Sequence, residues 1–177
     1  MLPELTVLDG SAALAAEDDL TTVYRAAFTA PGYDESEEAA TRFRREQLPA
    51  HAARAGFRCS TLLLAGTVAG FAYGYTGERG QWWTDTVAAR VPAVLADEWL
   101  GGHFELVEVA VAPEHQGRGF GAALVDRLLL GLPHDRALLT TYDDERPAPR
   151  LYRRLGWEKL ATGALDGKDL WGLRLTS

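Results

Sequence analysis

A chain of 177 residues, 47% of them hydrophobic, is long enough to bury a sizeable core. Its formal charge of −7 and pI near 5.1 exclude the basic face that a nucleic-acid binder needs. The single cysteine, Cys59, excludes an internal disulfide framework and a cysteine-based zinc cluster. No apolar run is long enough to span a bilayer and the start carries no signal-peptide pattern, so the expectation is a cytoplasmic protein without a membrane partner.

In chain order, a short strand is predicted near Thr6–Leu8. A helix follows over roughly Ala13–Phe28, where Leu20, Val23, Tyr24, Ala27 and Phe28 recur at helical spacing. Pro31-Gly32 breaks it, and Asp34 with Glu37 three residues on is a capping-box pattern that starts a second helix. That helix is predicted to run to about Leu48, where Pro49 interrupts it. Phe57–Ala65 and Val68–Tyr75, separated by Gly66-Thr67, predict a β-hairpin. In its second strand Phe71, Tyr73 and Tyr75 share one face, and Gly70, Ala72 and Gly74 the other. A face of such small residues admits either a packed helix or a ligand.

Residues 77–102 read as an insertion over one end of the sheet, helical around Thr86–Leu100. Trp99 reads as core, and at least one of Trp82 and Trp83 as exposed. A strand from Phe104 then leads past Pro113 to three alternating glycines, Gly117, Gly119 and Gly121, which open a helix marked by Leu124, Val125, Leu128 and Leu129. A strand near Ala137–Tyr142, a short helix from Pro147 to Leu155 and a final strand carrying Trp171 and Leu173 complete the chain. This order predicts an α/β or α+β mixed sheet with helices on its faces, built as a single domain over 1–177.

The glycine turn is the chemical signal. Residues without a Cβ let backbone N–H groups approach a ligand, and a helix N-terminus adds free donors and the positive dipole end. That combination predicts a phosphate-bearing ligand. A dinucleotide fingerprint fits Gly117-x-Gly119-x-x-Ala122 only loosely. The glycines do not follow the strand directly, and too little chain remains for a conventional dinucleotide-binding sheet. No Lys-Ser/Thr pair follows, so a P-loop fails as well.

Gln116-Gly117-Arg118-Gly119-Phe120-Gly121 resembles the Q/R-x-x-G-x-G/A signature of the GNAT N-acetyltransferases. The upstream Val111-Ala112-Pro113-Glu114 stands where that family has its own. Ala148-Pro149-Arg150-Leu151-Tyr152, running on to Gly156-Trp157, is similar to a second family segment. The resemblance implies a mostly antiparallel central sheet splayed between the fourth and fifth strands, and acetyl-CoA as cosubstrate. It implies that the pyrophosphate lies on the backbone of Gly117, Arg118, Gly119, Phe120, Gly121 and Ala122, beside Gln116. The pantetheine arm would pair with Val109, Ala110 and Val111. Many relatives have asparagine where this chain has Glu145. Those acting on ribosomal-protein N-termini have glutamate where this chain has Thr140.

An ammonium must lose its proton before attacking a thioester, so a carboxylate base is required. Glu108 and Glu105 are the candidates, Glu108 preferred. Strand parity puts the two on opposite faces unless a bulge intervenes. The resemblance implies that an amide near Val109 would meet the oxyanion and that Tyr152 would protonate the departing thiolate. The acceptor is expected to be an amine on a small molecule or peptide, and the protein a monomer or homodimer. A catalytically silent acyl-CoA-binding module on the same fold is the rival reading. The four histidines lack metal-ligand spacing, so no metal is expected, and His103 is expected at the surface. Cys59 reads as a small buried apolar residue.

Overall fold

A computed structural model describes residues 2–30 and 36–176. Among the described residues β1 (Glu4–Leu8), β2 (Arg58–Leu64), β3 (Thr67–Gly77), β4 (His103–Val111), β5 (Arg136–Thr141), β6 (Glu158–Leu165) and β7 (Lys168–Arg174) form a sheet in the order β1-β2-β3-β4-β5-β7-β6; β1–β2, β2–β3, β5–β7 and β6–β7 are antiparallel and β4–β5 is parallel. The chain divides into two compact units, residues 1–75 with 107–130 and residues 76–106 with 131–177.

In the first unit β1 (Glu4–Leu8) pairs with β2 (Arg58–Leu64), and β2 with β3 (Thr67–Gly77). The predicted hairpin turns through Ala65 and Gly66, both at positive φ, as a two-residue turn between twisted strands demands. The predicted single helix is two. Helix α1 (Gly10–Ala15) is capped by Asp9, whose carboxylate accepts the Ala12 N–H at 2.8 Å. Helix α2 (Glu17–Phe28) starts anew with Glu17, Asp18 and Asp19 in its first turn, where negative charge suits the dipole. Asp34 and Pro31-Gly32 lie outside the described residues. Helix α3 (Glu37–Arg42) is capped by Ser36, which accepts the Ala39 N–H.

The chain does not stop at Pro49. It passes through a π-helical turn, Phe43–Gln47, and continues as α4 (Leu48–Ala52). Proline has no N–H to give the Arg45 carbonyl, and its ring would strike that carbonyl in a tight turn. Widening the turn relieves both conflicts without ending the helix.

Leu20, Val23, Tyr24 and Ala27 of α2 pack with Phe43, Leu48, Phe71 and Tyr73 into one core. Tyr24 and Phe43 stack at 4.3 Å. The small face of β3 serves packing by α7 (Phe120–Leu129): a Cβ on Gly70 would stand 3.0 Å from Leu124 Cδ1. Ser60 Oγ donates to the Leu124 carbonyl at 2.8 Å on this side.

In the second unit β4 (His103–Val111) and β5 (Arg136–Thr141) pair at Phe104–Ala137 and Glu105–Leu138, near their starts. β5 pairs with β7 (Lys168–Arg174), and β7 with β6 (Glu158–Leu165). β6 is absent from the sequence prediction. It is an edge strand with register shifts, and its Glu-Lys-Leu-Ala-Thr-Gly stretch has no clean alternation. The segment expected to be one insertion helix is α5 (Trp82–Arg90) and α6 (Ala93–Trp99), separated at Val91-Pro92. Trp83, Val87, Ala96 and Trp99 from it bury against Leu138, Ala164 and Leu170. Gly172 makes room for Trp99, whose ring would stand 2.7 Å from a Cβ there. Helix α8 (Pro147–Arg154) follows β5 as predicted.

Candidate functional site

The glycine turn lies in the first unit, after β4 and a 3₁₀ turn at Pro113–His115. Gly117 and Gly119 have φ of 73° and 81°, the left-handed region that side chains disfavour. A Cβ at either position would meet nothing, so backbone conformation and not crowding calls for glycine here. Gly119 is the N-cap of α7 and no side chain caps that helix. Its first-turn N–H groups therefore have no intrahelical acceptor, which leaves them for an anion. Gln116 Nε2 donates to the Val111 carbonyl at 2.9 Å and ties the turn to the end of β4. Arg118 lies over the Phe120 ring at 4.7 Å, its guanidinium at the mouth of the turn.

Glu108 is half-buried on β4 in the same unit. Gln47 Nε2 donates to its Oε1 at 3.0 Å and lies 3.1 Å from the Tyr73 hydroxyl. His51 Nδ1 is 2.8 Å from that hydroxyl. A carboxylate only accepts, so the Gln47 group beside it is the amide nitrogen. Burial, and then the Glu108 charge, push the Tyr73 phenol well above its ordinary range. Burial and the neighbouring Arg54 lower His51 to about 4. At neutral pH the phenol is protonated and the imidazole neutral; the Tyr73 oxygen takes the Gln47 N–H, so its own hydrogen is met by His51 Nδ1. Val107 packs against the core that holds Tyr73, and the next residue, Glu108, reaches Gln47 on that side.

Sequence reasoning passed over Gln47, His51 and Tyr73 as site residues. The signals were faint: Gln47 and His51 are four apart, which puts them on one helix face, and Tyr73 was visible only as a member of an aromatic strand face.

The first unit brings together Glu108, Val109, Ala110, Val111 and residues 116–122, whereas Glu105 and Tyr152 belong to the second. Glu105 is buried to 4% exposure at the paired start of β4. Tyr152 is 7% exposed, its ring 5.7 Å from that of Trp157. His103 is not at the surface as expected: it is fully buried beside Trp83, and its Nδ1 accepts the Gly101 N–H at 3.0 Å. Burial and nearby Arg136 lower it to about 3. Thr140 accepts the Trp83 indole N–H at 3.2 Å. Trp83 is buried and Trp82 is 66% exposed. Cys59 is buried as predicted, its thiol pushed up to about 12 by desolvation. Among the described residues no group of three or more His, Cys, Asp or Glu side chains could hold a metal ion. No helix among them is long and apolar enough to cross a membrane.

The family model for "Acetyltransferase (GNAT) family" matches residues 17–157. The chain belongs to the GNAT acetyltransferase family. Within this family it is 40% identical over 102 residues to the GCN5-like protein acetyltransferase Rv2170 of Mycobacterium tuberculosis. That match covers 53% of this chain and 50% of the relative, so the chain spans about half the length of the curated relative it matches. The PaiA N-acetyltransferase of Thermoplasma acidophilum, solved with coenzyme A, has a similar fold. Its TM-score is 0.65 at 12% identity, over 99% of this chain and 100% of the other. The ribosomal-protein-S18-alanine N-acetyltransferase of Escherichia coli gives 0.60 at 16% identity, over 99% and 96%. These structures share the GNAT fold with this chain.

Proposed function

We propose that this GNAT protein transfers an acetyl group from acetyl-CoA directly to a primary amine of a small molecule or peptide. The observation that carries the reading is the uncapped start of α7, opened by two left-handed glycines that follow the strand bearing Glu108 after a 3₁₀ turn. Donors and dipole there suit a pyrophosphate, with Gly117 to Ala122 supplying N–H groups and Arg118 a mobile charge. Gln116 steadies the turn. Val109, Ala110 and Val111 would take the pantetheine arm along the strand. The coenzyme A complex of the Thermoplasma relative supports the same donor.

Glu108 takes the proton from the acceptor ammonium, directly or through a water. The freed amine nitrogen forms a bond to the thioester carbon, and the Val109 N–H meets the oxygen that becomes negative. The carbon–sulfur bond then breaks, the thiolate takes a proton from Tyr152, and the phenolate recovers the proton that the nitrogen loses as it becomes the amide, directly or through a water. Glu105 is the alternative base; it is buried to 4% exposure, whereas Glu108 is half-buried. An acetyl-CoA substrate fits a cytoplasmic protein, and the family match from 17 to 157 supports one acetyltransferase domain with an insertion near 77–102.

Acetyl-CoA presented with a broad amine panel should give thiol release. Glu108→Gln should lower kcat by roughly 10²- to 10⁴-fold while leaving coenzyme A affinity intact. Coenzyme A binding without release for any amine would instead support the silent binding module.

A further inference from the structure

We propose that Gln47 is a positioning residue for Glu108, and that the π turn, Tyr73 and His51 lock its amide in the donating orientation. The inference rests on Glu108 acting as the base of the proposed transfer. Two observations made independently of each other converge on Gln47. It is the last residue of the π turn, a local geometry that costs regular hydrogen bonding and recurs at functional sites. It also bridges two groups on separate strands, Glu108 on β4 at 3.0 Å and Tyr73 on β3 at 3.1 Å.

The hydrogen-bond directions are set one after another. A carboxylate only accepts, so Gln47 presents its NH₂ to Glu108, and the second N–H of the same group goes to the Tyr73 oxygen. The phenol hydrogen of buried Tyr73 is then met by His51 Nδ1, which fixes the imidazole tautomer. Reversing the amide would set its oxygen against Glu108 and leave both acceptors unmet. Tyr73 is fully buried, so no water substitutes at its ring. The groups facing this chain are Glu108 on β4, Tyr75 on β3, Tyr24 on α2 and Arg54 after α4, whose guanidinium sits 4.6 Å from the Tyr75 ring.

The test is steady-state kinetics on the full chain, with circular dichroism to show that each variant folds. Gln47→Leu should lower kcat by up to about a hundredfold with KM for acetyl-CoA unchanged, since a misplaced base costs rate and not donor binding. An N–H given to a carboxylate favours its charged form, so losing it should move the acid limb of the kcat/KM profile to higher pH. Tyr73→Phe should cost less, and the double variant Gln47→Leu/Tyr73→Phe should match Gln47→Leu alone, because Tyr73 acts through Gln47. Gln47→Glu keeps shape and removes the donor, and should be at least as impaired as Gln47→Leu. Should Gln47→Leu not fold, this isosteric variant decides.

Wild-type kcat and pH profile in Gln47→Leu, or near-wild-type activity in Gln47→Glu, would overturn the proposal. Losses that multiply in the double variant would overturn the part assigned to Tyr73. Full activity of Glu108→Gln, or no activity in wild type, would sink the base assignment itself, an outcome separate from the Gln47 results.

Discussion

Individual residues in this chain are tuned mainly by burial. His51 and His103 are held near 4 and near 3, below the ordinary histidine value of 6.5, with desolvation the larger cause in each. Their folded forms resist a proton that the unfolded chain accepts from about pH 6.5 downward. The unfolded state therefore binds more protons between pH 6.5 and the folded values, and stability falls as pH is lowered through that window. The urea midpoint should drop between pH 7 and pH 4 by the equivalent of roughly 2 kcal/mol or more. A flat midpoint over this range would count against both neutral imidazoles, half-buried His51 and buried His103. Neither histidine was readable as buried from sequence. His103 follows two glycines, a context that looks like a surface loop, and only the fold shows Gly77 and Trp83 closing over its ring.

At the scale of elements, local chemistry predicted most boundaries, and its failures are instructive. The hairpin, α7, β5 and α8 fall where turn residues and periodicity put them. Pro49 misled, because proline usually ends a helix, yet here a π turn absorbs it and carries the helix on to Ala52. Pro49→Ala removes that conflict and should let the segment relax toward a regular helix. The variant should be more stable, by up to about 3 kcal/mol in a chemical unfolding curve. Its kcat should fall, because relaxation turns Gln47 away from Glu108. Higher stability with undiminished kcat would separate the π turn from the work of the site. β6 escaped prediction for a different reason: an edge strand with irregular register carries little alternation to read.

For the whole molecule, β3 and β4 each begin in one unit and end in the other. Strands that cross the division couple the units through the backbone, so thermal unfolding should be a single transition. Gly77→Ala tests this. A Cβ there would stand 2.1 Å from His103 Nε2, an overlap that packing can relieve only by moving backbone or ring. The cost should be about 3 kcal/mol, lowering the entire transition. Two transitions, of which one alone moved, would show independent domains.

The sequence by itself determined the glycine turn, the strand before it and the family they mark. Those features are local: backbone conformation at Gly117 and Gly119, a helix start, and carboxylates a few residues upstream. Tertiary structure decided what surrounds Glu108. Gln47 reaches it from a helical segment and is met there by Tyr73 and then His51, and no local pattern links that group to Glu108 on β4. Their grouping depends on how α4 is turned against the sheet. The π turn at Phe43–Gln47 ends on Gln47, and only the packed fold reveals it.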